Sequence, residues 1–300
     1  MRLYQSLKEI DIQLDSCVIT VGMFDGLHLG HMSVLNHVKK ISEKENIPSV
    51  VLTFSNHPQT YFQPSIPNVV LSSLQDKVNK LSQFGIDIVI AIPFDSYIAA
   101  LSAHDFASKI LMDQLHVKHI VFGYDNHFGH NREGSKAFMD VAFPQIFTHR
   151  VAESIINDEV VSSSLIKNKI QVGAIQQAFT LLGYHYQLKG CVIKGDQLGR
   201  TIGFPTANMQ LEIAEKLVPA HGVYLTKSTV SGKEYFGMTN IGVRPTVTQS
   251  QELRIETNLF NFDMDIYGEE IQVEFIERLR DEQKFDSFPA LVAQLHQDRI

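Results

Sequence analysis

Cysteine is scarce in this chain, long apolar runs are missing, and there is no low-complexity tract or basic stripe. Each absence narrows the field. The two cysteines, Cys17 and Cys191, stand too far apart for any metal-ligand or redox spacing. They read as two thiols in a reducing compartment. The longest apolar stretch, around residues 88–93, is far too short to span a bilayer, so no membrane partner is expected. The N-terminus lacks a basic segment followed by an apolar core and a cleavage site, which makes the cytoplasm the expected location. A net charge of −7 without a basic stripe speaks against a nucleic-acid partner. Small anionic ligands stay open, because a phosphate site needs only a few local donors. Nothing indicates a protein partner. A Walker A sequence is also missing: residues 129–136 read G-x-x-x-x-G-S-K, with the residues in the wrong order. Any ATP must therefore be held without that loop.

What is present suits two domains. Three hundred residues, 44% hydrophobic, are enough for two separate cores. In the first half, nearly continuous Val/Ile runs predict strands over 17–21, 49–54, 87–92 and 119–123. Helical patterns over 31–45, 74–84, 103–116 and 134–141 lie between and after them. That alternation predicts right-handed βαβ units and a Rossmann-like parallel sheet. From about Leu188 the pattern changes to strands over 222–229, 234–241, 252–260 and 271–280, with one terminal helix over 288–299. Successive strands without helices between them predict an antiparallel barrel or sandwich. Residues 162–183 read as two short helices. The expected domains are 1–183, α/β, and 184–300, mostly β.

Two constellations carry chemistry. In G-M-F-D-G-L-H-L-G-H at residues 22–31, Gly22, Gly26 and Gly30 let backbone approach a ligand closely. The helix that starts near Gly30 points N–H groups at an anion. His28 and His31, three apart, are placed to donate hydrogen bonds to phosphoryl oxygens during an in-line displacement. The plainer alternative is a loop with two surface histidines, or a metal-binding pair. The second constellation spans residues 190–208. Gly195 and Gly199 suit a phosphate-covering loop, and Lys194 and Arg200 are possible cationic partners. Thr206 and Asn208 are two apart, so in extended backbone both side chains emerge on one face. Their oxygens suit Mg²⁺ that also bridges ATP phosphates. The alternative here is a turn feeding a strand.

With L-T-F-S-N-H-P at 52–58, F-G-Y-D-N-H-F-G at 122–129, S-S-S-L-I-K at 162–167, N-I-G-V-R-P-T at 240–246 and R-I-E-T-N-L-F at 254–260, the chain resembles the prokaryotic bifunctional FAD synthetase family, riboflavin kinase joined to FMN adenylyltransferase. The resemblance spans nearly the whole chain. It implies a nucleotidyltransferase domain over 1–183 and a β-barrel kinase domain over 184–300. The implied activity is Mg²⁺-dependent phosphorylation of riboflavin by ATP to FMN, then adenylylation of FMN to FAD with release of pyrophosphate. It places nucleotide contacts at Gly22, Phe24, Asp25, Gly26, Gly30, Asp125, Ser162, Ser163, Ser164 and Lys167, and at Gly195, Gly199, Arg200, Thr206 and Asn208. Flavin contacts are implied at Phe62, Phe128, Arg280 and Glu282, with core packing an open alternative for the two phenylalanines. Glu256 falls at the catalytic carboxylate, to accept the proton of the ribityl hydroxyl. Its alternative is an exposed strand residue paired with Arg254. The departures from the family pattern are Lys167 for arginine, which trades a bidentate fork for a point charge, Asn56 for proline, Asn126 for an aromatic, Met32 for glutamine and Asn258 for histidine. Two other functions compete: a kinase with an impaired first domain, and a non-enzymatic flavin or nucleotide sensor.

Overall fold

A computed structural model describes the chain except for residues 11–14, 66–67, 196–198, 200–201, 246–250 and 300. It packs as two compact units, Met1–Ser163 and Ser164–Ile300. The first is built on six parallel strands: β1 (Arg2–Tyr4), β2 (Cys17–Val21), β3 (Ser49–Phe54), β4 (Ile88–Ile92), β5 (Val117–Phe122) and β6 (Phe147–Arg150). Every residue of β2 and β4 is buried, as the unbroken apolar runs predict for strands covered on both faces. The spatial order is β1-β4-β3-β2-β5-β6. From β2 the chain moves through β3 to β4 on one side, then returns to place β5 on the other. That reversal is a topological switch point, and it opens a crevice beyond the carboxyl ends of β2 and β5.

The crossovers carry α1 (Leu29–Glu45), α2 (Pro58–Phe62), α3 (Leu74–Phe84), α4 (Ser96–Ala100) and α5 (Ala103–Asp105), and α6 (Lys136–Ala142) precedes β6. A complete capping box of Ser73 and Asp76 starts α3, and Gly85, at φ 87°, ends it. One expectation changes here. The helix expected over 103–116 becomes α5 followed by a π-helix, Phe106–Met112, in which the Asp113 N–H reaches back to the Ser108 carbonyl at 2.9 Å. Buried positions 106, 107, 110 and 111 suit either winding, so periodicity alone does not separate them. The edge strands β1 and β6 have no apolar run to announce them, and neither was expected. A small hairpin, β7 (Ile155–Ile156) and β8 (Glu159–Val160), turns on Asn157 and Asp158, both at positive φ.

In the second unit α7 (Ser163–Gln171) and α8 (Ile175–Leu182) are followed by β9 (Gln187–Ile193), β10 (Ala207–Leu211), β11 (Gly222–Val230), β12 (Lys233–Pro245), β13 (Gln251–Leu259) and β14 (Glu270–Arg280), then α9 (Phe288–Asp298). The strands close into an antiparallel barrel in the order β10-β13-β12-β11-β14-β9. Tyr224, Ile255, Val273 and Phe275 are buried in it. Thr226, Thr239 and Thr257 are buried too, and their hydroxyls satisfy one another in a chain with 2.9 Å links. On another face of the same strands Val223 and Met238 pack with Phe204, Phe260 and the α9 residues Val292 and Leu295. Among the described residues no helix is long and apolar enough to cross a membrane.

Candidate active sites

In the first unit, the loop after β2 is held from below by the segment that opens α3. The buried Asp25 carboxylate accepts the N–H groups of Leu71 (2.8 Å) and Ser72 (3.1 Å), while the Gly26 N–H donates to the Ser72 hydroxyl at 2.9 Å. Ser163 donates its hydroxyl to the Asp25 carbonyl at 3.0 Å. These contacts hold Phe24 and Leu27 in the left-handed region, at φ 50° and 43°, where bulky residues are strained. The strain falls on the motif itself.

His28 caps α1: its Nδ1 accepts the His31 N–H at 3.3 Å. That acceptor role puts the proton of a neutral His28 on Nε2. Burial lowers the His28 pKa to about 4, against a raising influence of Asp25. The His31 pKa also lies well below its ordinary value, first through burial and then through His28 and Lys77. The two rings stack with centroids 3.6 Å apart. Both are neutral near pH 7, and the His31 Nδ1 is buried without a hydrogen-bond partner.

A cavity of about 640 Å³ opens at the switch point. Gly22, Phe24, His31, Phe62, Asp125 and Phe128 all line it, so six of the predicted site residues converge there. His28, Asp25, Gly26 and Gly30 are not among its lining residues. Phe62 is 61% exposed within an aromatic group with Tyr61 and Phe94. Phe128 is 7% exposed and packs on Phe106 at 5.1 Å, so most of its ring is already used by the core. Ser162 and Ser163 are half-buried, Ser164 is exposed, and Lys167 is half-buried one turn into α7.

Two departures from the family pattern have structural work here. Asn56 pairs with the Phe94 backbone in both directions, accepting its N–H at 2.7 Å and donating to its carbonyl at 3.1 Å. The Asn126 amide donates to the Val21 carbonyl at the end of β2. Each amide ties two loops together at the carboxyl edge of the sheet.

In the barrel, strand register assembles the second constellation. Glu256 on β13 lies opposite Asn208 on β10 and Asn240 on β12, and Asn240 lies opposite Val223, which faces Arg280 on β14. Directly opposed residues share a sheet face, so these side chains form one row. Arg254, two residues along β13, brings Nη1 to 3.6 Å from the Glu256 carboxylate. Two described glycines pack close to this segment: Gly195 beside Asn208 and Gly199 beside Phe204. A Cβ on Gly199 would fall 2.2 Å from the Phe204 carbonyl, so backbone leaves room only for glycine there, and one on Gly195 would fall 2.3 Å from the Asn208 amide and push that side chain aside. Asn258, 8% exposed, donates its amide to the Pro205 carbonyl at 2.7 Å. Beside it, Thr206 lines a second cavity of about 310 Å³ with Pro205, Asp263, Asp265 and Tyr267. Arg200 lies outside the described residues.

Arg280 ends the row on β14, and Glu282 follows two residues later. The Arg280 guanidinium forks onto Asp298 of α9, with contacts of 2.7 to 3.0 Å, and stands 5.8 Å from the Phe285 ring. The Glu282 carboxylate lies against Gly242, where a Cβ would stand 2.2 Å from its oxygen.

The two constellations thus occupy separately packed units. The FAD synthetase family matches residues 11–165, and the riboflavin kinase family matches residues 182–300. The chain belongs to the bifunctional riboflavin kinase/FMN adenylyltransferase family. A protein of that description from Haemophilus influenzae is 37% identical, over 99% of this chain and 97% of its own length. One from Bacillus subtilis is 36% identical, over 94% of this chain and 90% of its own. A crystal structure described as a macrolide-efflux protein from Streptococcus pneumoniae is 31% identical, with a TM-score of 0.92 over 99% of this chain and 96% of that one. The efflux in its description is said of that protein.

Sequence reasoning passed over Lys77, Ser72 and Asp298. Lys77 left a signal. Leu74, Lys77, Val78 and Leu81 fall at the spacing of one helix face, which places a lysine in an apolar stripe. Ser72 and Asp298 left none, because their importance depends on partners distant in the chain.

Proposed function

We propose that this chain makes FMN and then FAD, with the two chemistries divided between its halves. Riboflavin and ATP give FMN and ADP in the barrel half, 184–300; FMN and a second ATP give FAD and pyrophosphate in the sheet half, 1–183. The observation that carries this reading is the row Asn208–Glu256–Asn240 with Gly195 packed against Asn208 in one unit, and an independent histidine and glycine crevice in the other.

In the kinase half, the ribityl hydroxyl oxygen attacks the γ-phosphorus of ATP and ADP leaves. Glu256 accepts the hydroxyl proton, and its register beside Asn208 keeps the carboxylate next to the phosphate end of the site. Thr206 and Asn208 supply an uncharged hydroxyl and an amide oxygen, a hard donor set that fits Mg²⁺. They would hold the ion, with phosphate oxygens and water completing its shell. When bound, the ion neutralises charge on the phosphates. Gly195 and Gly199 let backbone pass close to Asn208 and to the Phe204 carbonyl.

In the adenylyltransferase half, an FMN phosphate oxygen attacks the α-phosphorus of ATP and pyrophosphate leaves. Neutral His28 donates Nε2–H, and His31, which lines the cavity, donates a ring N–H, to oxygens that gain charge. Gly22, Gly26 and Gly30 keep this backbone close to the nucleotide, and Phe24 and Asp25 set the turn. Ser162, Ser163, Ser164 and Lys167 carry the phosphates, with Lys167 acting as a point charge. Phe62 and the exposed part of Phe128 grip the isoalloxazine ring, and Asp125 contacts substrate at the cavity mouth. Arg280 and Glu282 border the flavin in the kinase half.

Product analysis tests the division. Riboflavin, ATP and Mg²⁺ should yield FMN and then FAD with the wild-type protein. The variant His28→Ala with His31→Ala should stop at FMN. Loss of both products in a folded double variant would mean one shared site and would refute the division.

A further inference from the structure

Lys77 projects from the second turn of α3 into the buried edge of the sheet, where its side chain is 5% exposed. Its ammonium donates to the Met23 carbonyl at 3.1 Å and the Phe54 carbonyl at 3.2 Å, and stands 3.5 Å from the Thr53 hydroxyl. Thr53 also donates to the Met23 carbonyl, at 3.2 Å. Every direct partner of this cation is neutral. Among the described residues no carboxylate comes within ion-pairing distance of it. The nearby Asp25 uses one carboxylate oxygen to accept the Leu71 and Ser72 N–H groups.

A buried ammonium with only neutral acceptors is costly to desolvate, and methionine would fill the same space without that cost. As a staple alone, an amide would join the Met23 and Phe54 carbonyls. What lysine adds is a positive charge without a direct ion pair, placed beneath the loop that forms the cavity wall and partly offset at longer range by the Asp25 carboxylate. Met23, Phe54, Phe24 and His31 all line that wall. In this dry position the charge is weakly screened and acts through the loop on whatever anion enters.

We propose that Lys77 is a positioning residue for adenylyl transfer: it fixes the Gly22–Phe24 loop from below and holds a positive charge under the site where phosphoryl oxygens gain negative charge. The assignment rests on the reading of this cavity as the adenylyltransferase site. Burial lowers the Lys77 pKa to about 8, against a raising influence of Asp25, so it is largely charged near neutrality. Lys77 in turn helps to keep His31 unprotonated, together with burial and the stacked His28.

Three replacements separate charge from hydrogen bonding. Lys77→Gln keeps an amide donor and loses the charge, Lys77→Met loses both, and Lys77→Arg keeps both in a larger side chain. FAD formation from FMN should fall by about tenfold or more in the glutamine and methionine variants, the scale of one weakly screened charge. It should fall much less in the arginine variant. Riboflavin phosphorylation should be the same in all three. A second readout is the acid limb of FAD formation, governed by His31, which faces His28, Lys77 and the Phe24 ring. Without the lysine charge that limb should move to higher pH; with arginine it should stay. FMN binding, followed by flavin fluorescence, reports whether the cavity is folded. Wild-type FAD formation with an unshifted limb in Lys77→Gln would overturn the assignment. Loss of FMN binding in both the glutamine and arginine variants would also overturn it, making Lys77 a structural staple. If the wild-type protein makes no FAD from FMN, the reading of the cavity fails instead, independently of any Lys77 variant.

Discussion

Replacing Glu256 with glutamine separates catalysis from stability in the barrel unit. Glu256 is 28% exposed and its ion pair with Arg254 spans 3.6 Å, with Arg254 itself 23% exposed. Pairs this open contribute about 0–1 kcal/mol. Glutamine has the same length and keeps its place opposite Asn208 and Asn240 in the strand register. Folding stability should therefore change by no more than about 1 kcal/mol. Loss of the base is a larger effect: general-base catalysis is worth about 10²–10⁴-fold, or about 3–5 kcal/mol of barrel-site activation energy. Separated flavin products after incubation with riboflavin, ATP and Mg²⁺ measure it directly. FMN formation should drop by that factor with little change in the ATP requirement. FAD formation from supplied FMN, in the same tube, should hold steady and certify the protein. FMN formation within about threefold of wild type would refute the role of Glu256 as base, because so small a change is below any general-base contribution.

The buried neutral histidine of the first unit makes that unit acid-sensitive. The folded pKa of His28 is depressed to about 4, so the unfolded chain takes up the proton first. Stability is fully present above about 6.5 and falls as pH drops toward 4, by about 3 kcal/mol in total from this group. Thermal melts across that range should show the decline, and His28→Gln should flatten it. In Asn258→Asp, the new carboxylate cannot donate to the Pro205 carbonyl. The barrel should lose about 1–3 kcal/mol in denaturant unfolding, and FMN formation should fall while FAD formation from FMN stays intact. Asp298 is 4% exposed and Arg280 14%, so Asp298→Asn leaves a mostly buried guanidinium without its counter-charge. Unfolding measurements should show a loss of about 3–5 kcal/mol, and limited proteolysis should release α9 earlier than in wild type.

Much of this protein is written locally in its sequence. Unbroken Val and Ile runs determine β2, β3 and β4, because strands covered on both faces have no polar side to show. The glycine spacing at 22–31 and 195–199 marks places where backbone must come close to something, and Thr206 and Asn208 share a face by the twofold period of extended chain alone. Together with the segments at 122–129, 162–167 and 254–260, they carry the family resemblance from which the chemistry is expected. The edges of the first sheet were not legible: β1 and β6 are held by neighbours, not by their own apolar content. Nor was the π-turn at Phe106, whose buried positions fit two windings.

Only the tertiary structure decided what stands beside what. Barrel closure sets Glu256 between Asn208 and Asn240, about 50 residues away on one side and 16 on the other, a matter of strand register that a one-residue slip would undo. It also assigns the departures their work. Asn56, Asn126 and Asn258 look like losses in a motif, yet each amide holds a backbone carbonyl from a segment distant in the chain. Lys77 shows the same division. The sequence places a lysine in the apolar stripe of a helix, but the Met23 and Phe54 carbonyls that receive it come from two other strand ends. Sequence spacing determines the face a side chain occupies; its charge environment depends on groups brought near by folding, because electrostatic and hydrogen-bond energies follow distance in space and not distance along the chain.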